Sequence, residues 1–227
     1  MTLLVSVHLP KTAGASFGRT LEDHFGDALL KDYLDYPINQ PAIRRNRAAL
    51  GHCLKGLLGR AGPDARLRCI HGHFMPLKYR CLRGGGRSVH FVTWLRHPLD
   101  RMISHYGFWR EHPELAASAP LHRRVLEEDW SLERFCLAPE LRNLYRRFLW
   151  GFPLRLFDFV GLTEHYEADL ARFSERYLGR AASPYRLNTG RSGVSREDLG
   201  PALRRRIEQY HRADMRLYRQ ACRQRPG

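Results

Sequence analysis

The segment from residue 8 to residue 17, HLPKTAGASF, constrains the fold of this chain more than any other stretch. An apolar run with two valines, residues 3–7, precedes it, and apolar residues at helical spacing, Phe17, Leu21 and Phe25, follow it. Runs rich in β-branched residues favour strands, whereas apolar residues repeated every four positions favour a helix. The sequence therefore predicts a strand, a tight loop and a helix in immediate succession.

The predicted loop is suited to binding an anion. The first turn of a helix presents backbone N–H groups without intrahelical acceptors and the positive end of the helix dipole. Ala13, Gly14 and Ala15 keep the side chains small, so an anion can reach the main chain. Lys11 adds a mobile charge and Ser16 a hydroxyl. A Walker A loop places its lysine after the glycines, whereas here the lysine comes first.

The chain of 227 residues carries a net charge of +15, from 38 lysines and arginines against 23 acidic residues. This excess implies an anionic partner: a nucleotide, a sulfated or carboxylated glycan, a nucleic acid or an acidic membrane. The hydrophobic content of 43% is enough for a packed core. The length fits one α/β domain, and we take residues 1–227 as that domain.

The cysteines are scattered and form no C-x-x-C pair; they are Cys53, Cys69, Cys81, Cys136 and Cys222. We therefore predict neither a metal site nor a disulfide framework, which fits a reducing compartment. The amino terminus has no basic segment followed by a long apolar one. The sequence thus predicts no signal peptide, no membrane span and a cytoplasmic location.

Two histidines follow the next predicted strand, residues 67–70. His71 and His73 flank Gly72, and in an open α/β sheet ligands collect at the carboxyl ends of parallel strands. Imidazole titrates in the range needed to take a proton from a hydroxyl. Both histidines are therefore candidates for chemistry, although a structural role for either stays open.

A third predicted strand, residues 88–94, leads into a second candidate anion site. Pro98 suits the first turn of the helix that follows. Arg96 would lie at the strand end and point toward the crevice, and Ser104 would lie one to two turns into the helix. Both side chains can then reach a single anionic group.

Further elements alternate along the chain. Residues 42–58 predict a basic amphipathic helix with solvated arginines, and residues 157–162 predict another strand. Thr163 is expected to cap a helix reaching Leu178, and a capping box at Ser195 to begin a terminal helix. Alternating strands and helices predict the α/β class, with a mostly parallel central sheet flanked by helices in three layers.

Four segments carry a resemblance to one enzyme family. The order H-x-P-K-T-x-G-x-S in residues 8–16 resembles the phosphosulfate-binding loop of Golgi-type carbohydrate sulfotransferases, whose donor is 3′-phosphoadenosine 5′-phosphosulfate (PAPS). The R-x-P-x-x-R-x-x-S-x-Y pattern of residues 96–106 resembles their 3′-phosphate segment. The H-G-H of residues 71–73 is similar to that of uronyl 2-O-sulfotransferases. Residues 159–166 resemble a late strand-to-helix junction of the family.

The resemblance implies a P-loop-like fold and sulfuryl transfer from PAPS to a carbohydrate hydroxyl, on a possibly anionic acceptor, without a metal. It assigns Lys11 and His73 to catalysis, His73 as the general base, with His71 as a supporting contact. The implied donor-binding residues are Pro10, Lys11, Thr12, Ala13, Gly14, Ala15, Ser16, Phe17, Arg96, Ser104 and, in the late polar loop, Arg191. Golgi members carry an amino-terminal anchor, so we expect a bacterial, cytoplasmic member unless the sequence is a trimmed lumenal domain.

Two alternative functions remain at this stage. A P-loop kinase or nucleotide hydrolase would need Mg²⁺ and an acidic ligand at a strand end, where this chain instead has Arg96. A nucleic-acid-binding module would explain the charge of +15. It would leave the order of the motifs unexplained, and the sequence contains no recognised nucleic-acid-binding motif.

Overall fold

A computed structural model describes residues 2–33, 40–58, 63–84, 86–185 and 195–225. In this part of the chain five strands form one sheet in the order β2-β3-β1-β4-β5, and all pairings are parallel. The strands are β1 (Thr2–Val7), β2 (Leu29–Lys31), β3 (Cys69–Gly72), β4 (Ser88–Leu95) and β5 (Phe159–Leu162). The predicted α/β class with a parallel central sheet is confirmed.

Helices cover both faces of the sheet. They are α1 (Gly14–Phe25), α2 (Ala42–Leu57), α3 (Pro98–Glu111), α4 (Pro120–Glu127), α5 (Leu132–Cys136), α6 (Leu144–Phe148), α7 (Tyr166–Phe173), α8 (Pro201–Tyr210) and α9 (Arg212–Gln224). A 3₁₀ segment, Pro76–Gly84, joins the region after β3 to the region before β4.

Successive side chains of β1 point to opposite faces of the sheet, so the core has two layers. Leu3, Val5 and Val7 of β1 pack in one cluster with α6 and α9 residues. The intervening Leu4 packs in a second cluster with α1 and α7 residues, including Phe17. A parallel sheet buried on both faces is expected for strands that read as nearly continuous apolar runs.

The strand order places a crevice at the carboxyl ends of the strands. The chain adds β2 and β3 on one side of β1 and then β4 and β5 on the other. Val7 of β1 is in register with Gly72 of β3, so these two strands end level. Val7 is also in register with Thr93 of β4, which continues two residues further to Leu95. The segments beginning at His8, His73 and Arg96 therefore leave the sheet side by side at a topological switch point.

Two sequence-based boundaries were wrong because tertiary pairing decides them. The strand predicted at residues 67–70 is β3, Cys69–Gly72, so His71 lies within the strand and not after it. Thr163 does not cap a helix, because its hydroxyl donates to the carbonyl of Leu95 at 3.1 Å. α7 begins three residues later and continues into a π-helical segment that ends at Leu178. The capping box at Ser195 is confirmed, on a short 3₁₀ turn.

The prediction that the cysteines form no disulfide was wrong. Cys53 of α2 and Cys81 of the Pro76–Gly84 segment are joined by a disulfide bond; their Cα atoms are 5.4 Å apart and their sequence separation is 28. Sequence spacing carries no sign of this pair, because only the packing of α2 on that segment brings the two cysteines together. Disulfides persist mainly in oxidising compartments, so the cysteines no longer support a cytoplasmic location.

Within the described residues, no helix is both long enough and apolar enough to cross a membrane.

Candidate active site

The loop after β1 has a backbone shaped for an anion. Lys11 and Ala13 have φ angles of 65° and 62°, in the left-handed region. This conformation costs a residue other than glycine ~1–3 kcal/mol and is characteristic of binding loops. α1 begins at Gly14, and its first intrahelical bond runs from the Phe17 amide to the Ala13 carbonyl at 3.0 Å. Helix geometry thus leaves Gly14 and Ala15 amides with no acceptor one turn earlier.

Several predicted loop contacts serve the loop itself. The Thr12 hydroxyl donates to the Leu9 carbonyl at 2.8 Å, and Thr12 is fully buried. Pro10 and Ser16 are buried as well, whereas Ala15 is exposed. Thr12 therefore closes the turn that sets the backbone for a ligand.

Phe17 packs in the core beneath the loop. Its ring is fully buried, with ring centroids 5.3 Å from Trp94 and 4.8 Å from Phe173. Its amide is already bonded to Ala13. The ring and the amide of Phe17 thus both have partners within the fold, and its contact with the PAPS donor stays a prediction.

Lys11 contacts α3 and lies near the carboxyl end of β4. Its Nζ lies 4.0 Å from the ring centroid of Phe108. Burial, and next the charge of Arg96, lower the pKa of Lys11 to about 8, against a smaller raising effect of Glu111. Ser104 precedes Phe108 by one helical turn, so both lie on the same face of α3. The two predicted anion segments therefore meet.

Two side chains that the sequence did not single out for a role in the site hold the Arg96 segment. Tyr145 of α6 donates its hydroxyl to the Arg96 carbonyl at 2.7 Å and accepts from the Arg96 amide at 3.1 Å. Glu164, two residues after the end of β5, accepts from the His97 amide at 2.6 Å. The strand end that carries Arg96 is thus held on both sides.

Arg101, the second arginine of the R-x-P-x-x-R-x-x-S-x-Y pattern, has a structural role. Arg101 is fully buried, with one guanidinium nitrogen 3.4 Å from Nδ1 of His105 and the group 5.9 Å from the Tyr145 ring. Arg191, predicted as a donor contact, lies outside the described residues.

Three histidines and a tyrosine form a cluster beside the loop. The His8 ring stacks on His71 at 5.2 Å and lies 4.2 Å from His73, measured between ring centroids. Tyr33 lies 5.0 Å from His73, and its hydroxyl is 3.1 Å from Nδ1 of His8. In the described part of the chain, no group of three or more His, Cys, Asp or Glu residues is arranged to hold a metal ion.

His71 and His73 occupy different environments. His71 is 2% exposed, and its Nδ1 lies 2.8 Å from the hydroxyl of Ser6, inside the fold. Burial, and next the charge of His73, lower the pKa of His71 to about 3. His71 therefore lies beneath the site, stacked on the His8 ring and next to the backbone of Gly14 in the loop.

The geometry of His73 suits a proton acceptor. Its Nδ1 lies 2.5 Å from the backbone carbonyl of His8. A carbonyl can only accept, so Nδ1 carries the proton and Nε2 carries the lone pair. Burial lowers the pKa of His73 to about 4, against the raising effect of the His8 carbonyl, so the ring is neutral near pH 7.

His8 was quoted in the motif but given no role by the sequence. A Cβ atom on Gly14 would lie 1.8 Å from Cδ2 of His8, so the glycine is required for the ring to sit against the start of α1. The ring thereby joins the anion loop to the H-G-H segment. The H-x-P-K-T order with glycine three residues after the lysine is the sequence signal that could have revealed this contact.

A cavity of about 330 Å³ lies elsewhere, lined among others by Asp32, Lys78 and the Cys53–Cys81 pair. Its lining includes neither Lys11, Arg96 nor His73. We place the candidate site at the strand ends, where the charged and hydrogen-bonding groups converge.

No protein-family model matches the sequence, and no curated protein matches it significantly. Among solved structures, a sulfotransferase from Alicyclobacillus acidocaldarius is 15% identical, with a TM-score of 0.49, over 97% of this chain and 96% of that one. Mouse sulfotransferase SULT7A1 complexed with PAP is 12% identical, also with a TM-score of 0.49, over 98% of this chain and 89% of that one. Similarity at this level carries no argument about the activity of this chain.

Proposed function

We propose that this chain is a sulfotransferase that moves a sulfuryl group from PAPS to a hydroxyl. The observation that carries the proposal is the contact of Lys11, in the loop after β1, with Phe108 of α3, the helix that follows Arg96 at the end of the adjacent strand β4. Burial lowers the pKa of Lys11, and the charge of Arg96 is near enough to lower it further. Two cations and an open helix amino terminus at one switch point favour a ligand with more than one anionic group.

The presence of two basic segments at one crevice supports PAPS over ATP. The loop at Lys11 would hold the phosphosulfate, and Arg96 with Ser104 would hold the 3′-phosphate that distinguishes PAPS from ATP. β4 ends in Leu95 and continues into Arg96, at a place where a Mg²⁺-dependent nucleotide hydrolase needs a carboxylate. The chemistry of the side chains present thus fits a bisphosphorylated adenosine.

In the proposed reaction the acceptor hydroxyl oxygen attacks sulfur as the bond from sulfur to the bridging oxygen breaks. His73 takes the hydroxyl proton on Nε2 and later releases it to water. Lys11 neutralises the charge that develops on the departing bridging oxygen, and the Gly14 and Ala15 amides stabilise the sulfuryl oxygens. The products are a sulfate ester and adenosine 3′,5′-bisphosphate.

For the acceptor we propose a carbohydrate hydroxyl, on a polysaccharide, oligosaccharide or glycolipid. The H-G-H resemblance supports a sugar acceptor, and the net charge of +15 favours an anionic one. A His73→Gln variant should lose transfer from PAPS to a panel of glycans while still binding adenosine 3′,5′-bisphosphate. Retained transfer would remove His73 from the proposed mechanism.

The deciding experiment is thermal stabilisation of the protein by adenosine 3′,5′-bisphosphate, compared with ATP and adenosine 5′-monophosphate in the presence of EDTA. A ligand at 100 times its dissociation constant adds ~2.7 kcal/mol to the free energy of unfolding. We expect stabilisation by the 3′,5′-bisphosphate without metal. Stabilisation by ATP alone, and only after Mg²⁺ is restored, would replace the proposal with the kinase-like alternative.

A further inference from the structure

α2 exposes an apolar stripe to solvent. Its helix is confirmed, but Ile43, Leu50, Leu54 and Leu57 are 76%, 45%, 50% and 64% exposed. Successive members are seven, four and three positions apart, a spacing that returns to one face of a helix. Leu58, the C-cap residue, is 65% exposed and extends the stripe. Five large apolar side chains on one exposed face are unusual for a surface that meets only water.

Basic residues border this stripe, and acidic ones are absent from the helix. Arg44, Arg47 and Lys55 are exposed. At about 100° per residue they lie on the flank of the stripe that faces away from the core. The sequence of α2, AIRRNRAALGHCLKGL, contains no aspartate or glutamate. The exposed surface of α2 therefore consists of the apolar stripe and a positively charged flank beside it.

The flank of α2 that lies across the stripe from the basic residues is attached to the protein. Ala49 and Cys53 are buried in a small cluster with Met75 and Leu77, and the bond from Cys53 to Cys81 lies in the same contact. At about 100° per residue, Ala49 and Cys53 lie roughly a quarter turn around the helix from the centre of the stripe, so the stripe cannot turn inward without breaking this attachment. The exposed stripe is thus a fixed feature of the surface.

We propose that α2 docks this protein on an anionic lipid surface, lying flat with its apolar stripe among the acyl chains and its basic flank against the headgroups. A helix of this type, apolar on one side and rich in lysine or arginine on the other, binds in the plane of a membrane interface. The net charge of +15 favours approach to such a surface.

Charge complementarity selects this occupant over a second copy of the chain. Two copies meeting through α2 would bring together two acid-free basic flanks on molecules that each carry a net charge of +15. An anionic lipid surface supplies both negatively charged headgroups and an apolar acyl-chain region. The proposal does not rest on the sulfotransferase assignment, since no residue of α2 belongs to the candidate active site.

The test is co-sedimentation of the full chain with phosphatidylcholine vesicles that contain or lack phosphatidylserine. We expect binding that requires phosphatidylserine and weakens with salt. A Leu50→Ser, Leu54→Ser variant should lose about tenfold in partitioning because it removes two apolar anchors. An Arg44→Gln, Arg47→Gln variant should lose about fivefold for each charge removed.

The matched control lies on α9, where Arg216 and Arg219 are exposed. An Arg216→Gln, Arg219→Gln variant changes the net charge equally and should bind vesicles within about twofold of the parent, since α9 inserts no apolar stripe. Far-UV circular dichroism and stabilisation by adenosine 3′,5′-bisphosphate, measured on every variant, separate loss of docking from loss of folding and from failure of the proposed donor site.

Three results would overturn the proposal. One is no binding of the parent protein to phosphatidylserine vesicles. Another is an equal loss in the α9 control, which would assign binding to total charge. The third is a parent dimer that Leu50→Ser, Leu54→Ser converts to a monomer without any vesicle binding, which would make the stripe a protein interface.

Discussion

The hydroxyl of Tyr145 binds both backbone groups of Arg96, donating to its carbonyl at 2.7 Å and accepting from its amide at 3.1 Å. The Tyr145 amide in turn donates to Asp214 of α9 at 3.0 Å. Burial raises the pKa of the Tyr145 hydroxyl, so it stays protonated and able to donate. The position of the proposed 3′-phosphate contact therefore depends on α6 and α9, far from it in sequence.

Removing this hydroxyl should weaken donor binding while keeping the ring in the core. Tyr145→Phe leaves two buried backbone groups without that partner, at a cost of ~1–3 kcal/mol. We expect about a tenfold lower affinity for adenosine 3′,5′-bisphosphate, measured by calorimetry. Tyr177→Phe, which loses a comparable bond to the Asp158 carbonyl, is the control. An equal effect of both variants would indicate general destabilisation.

Substitution of Lys11 should chiefly lower turnover, whereas substitution of Arg96 should chiefly weaken donor binding. Lys11→Ala removes charge from the departing oxygen and should lower kcat by ~10²-fold or more, with a smaller effect on donor affinity. Arg96→Ala should chiefly weaken affinity for adenosine 3′,5′-bisphosphate. Steady-state kinetics with direct binding measurements separate the two. A Lys11→Ala variant that turns over normally but binds poorly would contradict the assigned roles.

The pH dependence of kcat/KM should have an alkaline limb near pH 8. The lowered pKa of Lys11, about 8, means that the free enzyme loses this positive charge as the pH rises through 8. His73, with a pKa of about 4, stays an acceptor until the pH falls toward 4. Lys11→Arg keeps its charge and should move the alkaline limb upward, whatever its effect on rate. An unmoved limb would assign it to another group.

The protein should lose stability as the pH falls from about 6.5 to 4. His71, His73 and His211 have folded pKa values lowered, chiefly by burial, to about 3, 4 and 4, whereas an unfolded histidine titrates near 6.5. Their stabilising effect is complete above pH 6.5, and each loses about 1.4 kcal/mol per pH unit below it. Burial raises the pKa of Asp214 to about 6, which opposes part of this loss.

Urea unfolding at several pH values measures the slope. His211→Gln should reduce the uptake of protons on unfolding by about one, because it removes one titrating group. A slope unchanged by this substitution, or stability that rises on acidification, would contradict the assignment.

Gly72 should tolerate no side chain. A Cβ atom there would lie 1.7 Å from the backbone oxygen of Asp32, which the edge strand β2 holds in place. Gly72→Ala should cost at least ~1–3 kcal/mol or prevent folding. At Gly51 of α2 a Cβ atom meets nothing within 4 Å, so Gly51→Ala should stabilise by ~1 kcal/mol. Thermal unfolding compares the pair, and similar melting temperatures would argue against the Gly72 contact.

The sequence by itself determined the α/β class and the loop at Lys11. Both depend on local features: apolar spacing distinguishes strand from helix within a few residues, and the small residues after Lys11 permit a tight turn into α1. The position of Arg96 at a strand end followed from the same local reasoning. These features need no knowledge of distant neighbours.

Only the tertiary structure decided which side chains meet. β3 ends at Gly72, two residues beyond the predicted strand, so His71 lies inside the fold and His73 beside the loop. The Tyr145 contact with Arg96, the Cys53–Cys81 bond and the exposure of the α2 stripe all join or separate segments that are remote in sequence. Periodicity shows that a helix has an apolar face, but the packing of the whole chain determines whether that face is buried.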